Sequence, residues 1–106
     1  MNIQLKQGVL EMCILAFLEK QENTGYIIEK SMTNQFKIPE GSIYPLLRRM
    51  VQDNYIESYY IEEDNAKKKY FKINQHGITE LNKLVNQWQS LVGRVGDFTK
   101  EASINE

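Results

Sequence analysis

Between residues 78 and 95 the chain places Ile78, Leu81, Val85, Trp88, Val92 and Val95 at spacings of 3, 4, 3, 4 and 3. Leu84, Leu91 and Phe98 run alongside at spacings of seven. A seam of this kind belongs to a helix packed along its length, and the flanking row makes it too wide for one partner. A helix over residues 78–100 extends about 34 Å at 1.5 Å per residue. Residues 1–76 make a body too small to cover that length, so part of the seam is expected to bury against a second copy of the chain. The expected dimerisation residues are Ile78, Leu81, Leu84, Val85, Trp88, Leu91, Val92 and Val95. Gly93 and Gly96 weaken this helix near its end, and either fray it or let a partner approach closely.

A chain of 106 residues is the size of one small domain. Its sequence divides into a body, 1–76, and the helix with its tail, 77–106. With 25% charged and 10% aromatic residues, the composition is globular. The single Cys cannot close an intramolecular disulfide and suits a reducing cytoplasm. One Cys and one His are too few for the usual structural zinc sites. The longest apolar run, residues 12–18, is far short of the ~20 residues that span a bilayer. Residues 1–11 hold one Lys and already contain Glu11, unlike a signal peptide. A soluble cytoplasmic protein without metal, cofactor or membrane is expected.

The net charge of −1 conceals a segregation. Residues 30–76 hold 8 basic and 6 acidic side chains, and five of those acids fall between Asp53 and Asp64. Arg48 and Arg49 lie on one side of that acidic stretch, and Lys67, Lys68, Lys69 and Lys72 on the other. This is the weaker form of an electrostatic footprint for nucleic acid.

A first helix is expected over residues 7–20, where Leu10, Ile14, Phe17 and Leu18 recur at helical spacing and Met12, Cys13 and Leu15 widen the stripe. Cys13 reads as a small core side chain, since a reactive thiol needs a basic, partly exposed setting. Thr24 is placed to cap a second helix over 26–33. A turn over 34–38 and a kinked or 3₁₀ approach through Pro39 lead to a third helix, with Ser42 as its N-cap, Pro45 in its first turn and Asn54 as a left-handed terminator. Its inner face is Ile43, Leu46, Leu47 and Met50. Its outer face is Ser42, Tyr44, Pro45, Arg48, Arg49 and Gln52. Two strands follow, over 55–61 and 68–73, joined by a polar loop over 62–67 with Asp64 and Asn65 at its turn. Asn74 then caps the long helix. His76 reads as an exposed polar residue near its start.

A short helix, a turn, a helix with a basic outer face and then a hairpin is the order of a winged helix-turn-helix. The fold class expected is therefore mainly α with a small β-hairpin (α+β), ending in a long C-terminal dimerisation helix. In that arrangement the third helix enters a major groove of double-stranded DNA. Arg48, Arg49 and Gln52 are suited to bases or phosphates, and Ser42 and Tyr44 to phosphates, with Pro45 on the same face. Lys67, Lys68, Lys69 and Lys72 are suited to phosphates beside the groove. The plainer alternative for these charges is a solvated surface, and for Tyr44 it is packing against the first helix. Enzymatic chemistry has little support. Cys13 and His76 are far apart in the chain, and no metal motif or Gly-rich phosphate cradle appears.

Several segments, in order, resemble the PadR-type winged-helix transcriptional regulators. Gly8 followed by Ile14-Leu15-Ala16-Phe17-Leu18 is similar to the family's first helix, and Gly25-Tyr26-Ile27-Ile28 to the start of its second. Gly41-Ser42-Ile43-Tyr44-Pro45-Leu46-Leu47-Arg48-Arg49-Met50 resembles its recognition helix. Lys68-Lys69-Tyr70-Phe71-Lys72-Ile73 with Gly77 resembles the second wing strand and the start of the last helix. Glu62, Glu63 and Asp64 depart from the Gly-Arg-rich wing tip of many relatives. The resemblance implies a homodimeric regulator, a repressor at an inverted-repeat operator, of the short subfamily that dimerises through one C-terminal helix. It also implies that Trp88 is placed to stack a planar aromatic effector at the dimer centre, against the alternative of dimer-core packing. Two other functions stay open, a protein-interaction module without specific DNA binding and a small-molecule sensor built on Trp88.

Overall fold

Leu10, Ile14, Leu15 and Leu18 fall on one face of the first helix, α1 (Ile3–Lys20), and are buried there. The computed structural model describes the backbone of residues 3–104 and the side chains of residues 7–100. Residues 1, 2, 105 and 106, the outer ends of the two predicted segments, lie outside the described residues. Thr24 caps α2 (Gly25–Phe36), its hydroxyl accepting the Ile27 N–H at 3.2 Å. This helix outruns its expected end at residue 33. Phe36 packs on the core, and only Lys37, left-handed at φ 53°, closes it by donating its N–H to the Thr33 carbonyl at 2.9 Å.

The link to α3 (Ile43–Gln52) is a tight turn. Both the Ser42 N–H and the Ser42 hydroxyl donate to the Pro39 carbonyl, at 3.3 and 2.6 Å. Ser42 thus occupies the N-cap position without capping, a correction to its expected role, because its hydroxyl is turned back into the turn. Pro45 is the third residue of the helix, where no intrahelical N–H bond is lost. Ile43, Leu46, Leu47 and Met50 are buried. Asn54, at φ 65°, ends the helix.

Three antiparallel strands lie in the order β1 (Asn23–Thr24), β3 (Ala66–Ile73), β2 (Ile56–Glu63). The hairpin zips from Ile56↔Ile73 to Glu63↔Ala66, so the connection is two residues rather than the expected six. Asp64 and Asn65 take φ 51° and 63°, the paired left-handed geometry of a type I′ turn. The two-residue β1 was not expected; it adds to the edge of β3 through Asn23↔Phe71 and Thr24↔Tyr70.

Asn74 caps α4 (Gln75–Ile104), accepting the Gly77 N–H at 2.8 Å. Gly93 and Gly96 both lie within the helix, which continues past them to Ile104. Its first turns belong to the chain's own core. Leu81 is 3% exposed, Leu84 and Val85 pack on that core, and Ile78 is half-buried. From Trp88 onward the apolar row is exposed, up to 88% at Phe98. The radius of gyration is 16.3 Å with a longest dimension of 59 Å, against about 13 Å for a compact chain of this length. The far half of α4 therefore projects from an α+β winged helix-turn-helix body.

Candidate nucleic-acid interface

The four buried residues of α3 fix its rotation. Tyr44, Pro45, Arg48, Arg49 and Gln52 are all exposed, as is Ser42 before them. Helical geometry puts Pro45, Arg48 and Gln52 opposite the buried stripe, with Tyr44 on one flank and Ser42 and Arg49 on the other. No hydrogen bond or ion pair to another described residue engages Arg48.

Arg49 is engaged. Its Nη2 donates to Oε2 of Glu11 on α1 at 3.3 Å, with the two side chains 48% and 16% exposed. Burial pushes the Glu11 carboxyl above its usual range and outweighs the opposing pull of Arg49. Sequence reasoning missed Glu11. The signal was available, because Glu11 is the one charged residue between Lys6 and Glu19 and falls on the side of the helix that carries Leu15 and Leu18. Glu29 was missed too. Its Oε1 accepts the Gly41 N–H at 2.8 Å and ties the turn before α3 back to α2, while its Oε2 is buried without a partner among the described residues.

On the other flank, Tyr44 packs over Gly25, the first residue of α2. A Cβ at Gly25 would stand 2.9 Å from the Tyr44 ring and 3.2 Å from that of Phe71. Burial, and then the charge of Glu29, push the Tyr44 phenol upward, so it stays a neutral donor. Tyr44 and Phe71 meet over Gly25, which puts the Phe71 face of the wing beside the start of α3.

That geometry separates the four wing lysines. Strand alternation places Lys67 and Lys69 on the Phe71 face, and Lys68 and Lys72 on the opposite one. Lys67 and Lys69 each lie 5.8 Å from the centre of the Tyr60 ring. Lys68 pairs with Glu63 at 3.6 Å and Lys72 with Glu57 at 3.9 Å. The wing's acids thus neutralise the lysines that point away from α3. On the same far face Tyr59 and Tyr70 stack at 5.7 Å, and the Tyr59 hydroxyl donates to Glu22 beyond α1. That bond is the main cause holding the Tyr59 phenol up at about 12, and it ties the wing to the body.

Away from this surface, Trp88 is 40% exposed and lines a shallow groove of about 190 Å³ with Gly8, Val9, Met12, Leu84, Gln87 and Leu91. Cys13 is half-buried, and burial pushes its thiol up. His76 is exposed and lies 4.8 Å from the Tyr55 ring. Among the described residues no group of His, Cys, Asp and Glu is placed to hold a metal, and no helix is long and apolar enough to cross a membrane.

The profile of the transcriptional regulator PadR-like family matches residues 14–83. A protein of Lysinibacillus sphaericus, named only as uncharacterized protein X, is 31% identical over 87 residues, 77% of this chain and 80% of that one. A Streptococcus transcriptional regulator of known crystal structure aligns with a TM-score of 0.84 and 27% identity, over 92% of this chain and 99% of that one. A PadR-like transcriptional regulator from Bacillus cereus gives 0.79 and 32%, over 90% and 95%. The profile covers the end of α1, the basic face of α3, the wing and the start of α4, and the solved relatives align with most of the chain. This chain therefore belongs to the PadR-like family of transcriptional regulators, which bind DNA and are not enzymes.

Proposed function

We propose that the chain is a homodimeric, sequence-specific repressor that binds an inverted-repeat operator in the cytoplasm. The exposed outer face of α3 carries this reading, with Pro45, Arg48 and Gln52 at its centre and Arg48 free of any partner among the described residues. Arg48 and Gln52 face base edges in the major groove, while Ser42, Tyr44, Lys67 and Lys69 approach phosphates on either side. Arg49 reaches the groove from the α1 flank. Lys68 and Lys72 contribute less, since each is already paired within the wing.

Two apolar surfaces support the dimer. One is the row Trp88, Leu91, Val92, Val95 and Phe98 on α4. The other is the outer side of α1, where Val9, Met12, Cys13, Ala16 and Phe17 stay half-buried, although the last four also touch the chain's own core. A second copy laying α4 across α1 covers both. Two recognition helices related by a twofold axis then read half-sites about 34 Å apart, or a multiple of that distance. Repression follows where the operator overlaps a promoter.

Selection from a random duplex pool tests this reading. The expected product is an inverted repeat bound by two chains. A pool that never converges on a sequence would contradict it.

A second reading rests on the exposure of Trp88 in its groove. A planar aromatic effector stacking there would make DNA binding ligand-responsive. Trp88 is the only tryptophan, so its fluorescence reports directly. Saturable quenching by planar compounds supports an effector site, and a flat titration across a broad panel assigns Trp88 to packing.

A further inference from the structure

The two arginines of α3 differ in freedom. Arg48 has no partner among the described residues, whereas Arg49 is held against α1 by Glu11. The contact uses one nitrogen and one carboxylate oxygen, Nη2 to Oε2 at 3.3 Å. A guanidinium has five N–H donors in a rigid fork, so four stay available to a phosphate or a base edge. Glu11 is the better-buried partner, and it sits on a helix anchored in the core by Leu10, Ile14, Leu15 and Leu18.

We propose that Glu11 is a positioning residue for DNA reading, holding the Arg49 fork by one edge so that its other donors meet the operator in one orientation. The proposal rests on the reading that the outer face of α3 meets DNA. An arginine ordered before binding gives up less side-chain freedom at the operator, which favours the geometrically correct site and raises the ratio of specific to non-specific affinity. Burial raises the Glu11 carboxyl more than Arg49 lowers it, so the ionised pair adds little stability, and its geometry is what it offers.

The test is a double-mutant cycle on the full chain, titrated against a duplex selected by the wild-type protein and against a scrambled duplex. Glu11→Met removes both acceptor oxygens at similar volume, and Glu11→Gln keeps one acceptor for Nη2. We expect Glu11→Met to lower the specific-to-scrambled ratio by about tenfold, Glu11→Gln to lower it less, and Glu11→Met to add nothing in an Arg49→Ala background. Should Glu11→Met fail to fold, the cycle is run with Glu11→Gln, whose smaller loss must likewise vanish without Arg49. An unchanged ratio, or an equal loss with and without Arg49, overturns the positioning role. A wild-type protein that selects no duplex overturns the DNA reading itself, and this inference with it.

Discussion

Gly77, in the first turn of α4, lies against the backbone carbonyl of Tyr55, at the start of the wing, so closely that a Cβ there would collide with the carbonyl oxygen and with Ile73. The backbone contact cannot yield as a flexible side chain would. Because it joins the long helix to the wing, it sets where α4 leaves the body. Gly77→Ala is expected to cost about 3 kcal/mol, at the upper end for overpacking. A denaturant midpoint matching wild type would show that the junction is slack.

The reach of sequence reasoning followed the range of the forces involved. The inner face of α3 was legible because Ile43, Leu46, Leu47 and Met50 repeat at helical spacing, and nothing competes for that face. Asp64 and Asn65 marked the hairpin turn because both tolerate positive φ. The end of α2 was hidden, because Lys37 carries no local preference for the left-handed conformation it adopts. The strand β1 was hidden as well. Its two residues pair only because the edge of β3 is brought beside them. The seam of α4 was visible as a pattern but its division was not, since periodicity is the same whether Leu81 faces its own body or Val92 faces a partner. The four wing lysines read alike in sequence, and only cross-strand register separates them.

That register makes a prediction about salt. Lys67→Ala with Lys69→Ala is expected to flatten the slope of log affinity against log salt by up to roughly 0.9 per lost phosphate contact. Lys68→Ala with Lys72→Ala is expected to change it by less, because Glu63 and Glu57 already offset those charges. Equal changes in both pairs would contradict the two-faced wing.

The division of α4 makes another. Val92→Asp and Val95→Asp place charges on the exposed row and are expected to yield folded monomers in sedimentation velocity. Leu81→Asp buries an unpaired charge in the body and is expected to unfold the chain. Dimers that persist in both valine variants would place the interface elsewhere.

Glu11 has a pH signature. Its folded pKa is raised, chiefly by burial, with Arg49 opposing and Glu80 and Asp53 adding to the rise. The folded state therefore holds the Glu11 proton to higher pH than the unfolded state. Its contribution is fully present below the unfolded pKa and is lost as pH rises through the folded one. The stability of Glu11→Gln relative to wild type is accordingly expected to improve as pH rises above the ordinary glutamate value of about 4.3. A difference that worsens towards neutrality would show that Arg49 outweighs burial, and one that stays constant that the two cancel; either contradicts the raised carboxyl.

The central claim is that α3 and the wing read a DNA sequence. Fluorescence anisotropy with a selected duplex and its scrambled counterpart, at two salt concentrations, tests it most directly. The expected result is a preference on the order of 10³-fold or more that persists as salt rises. Equal affinity for both duplexes, fading together with salt, would reduce the surface to a non-specific charge patch and contradict the account.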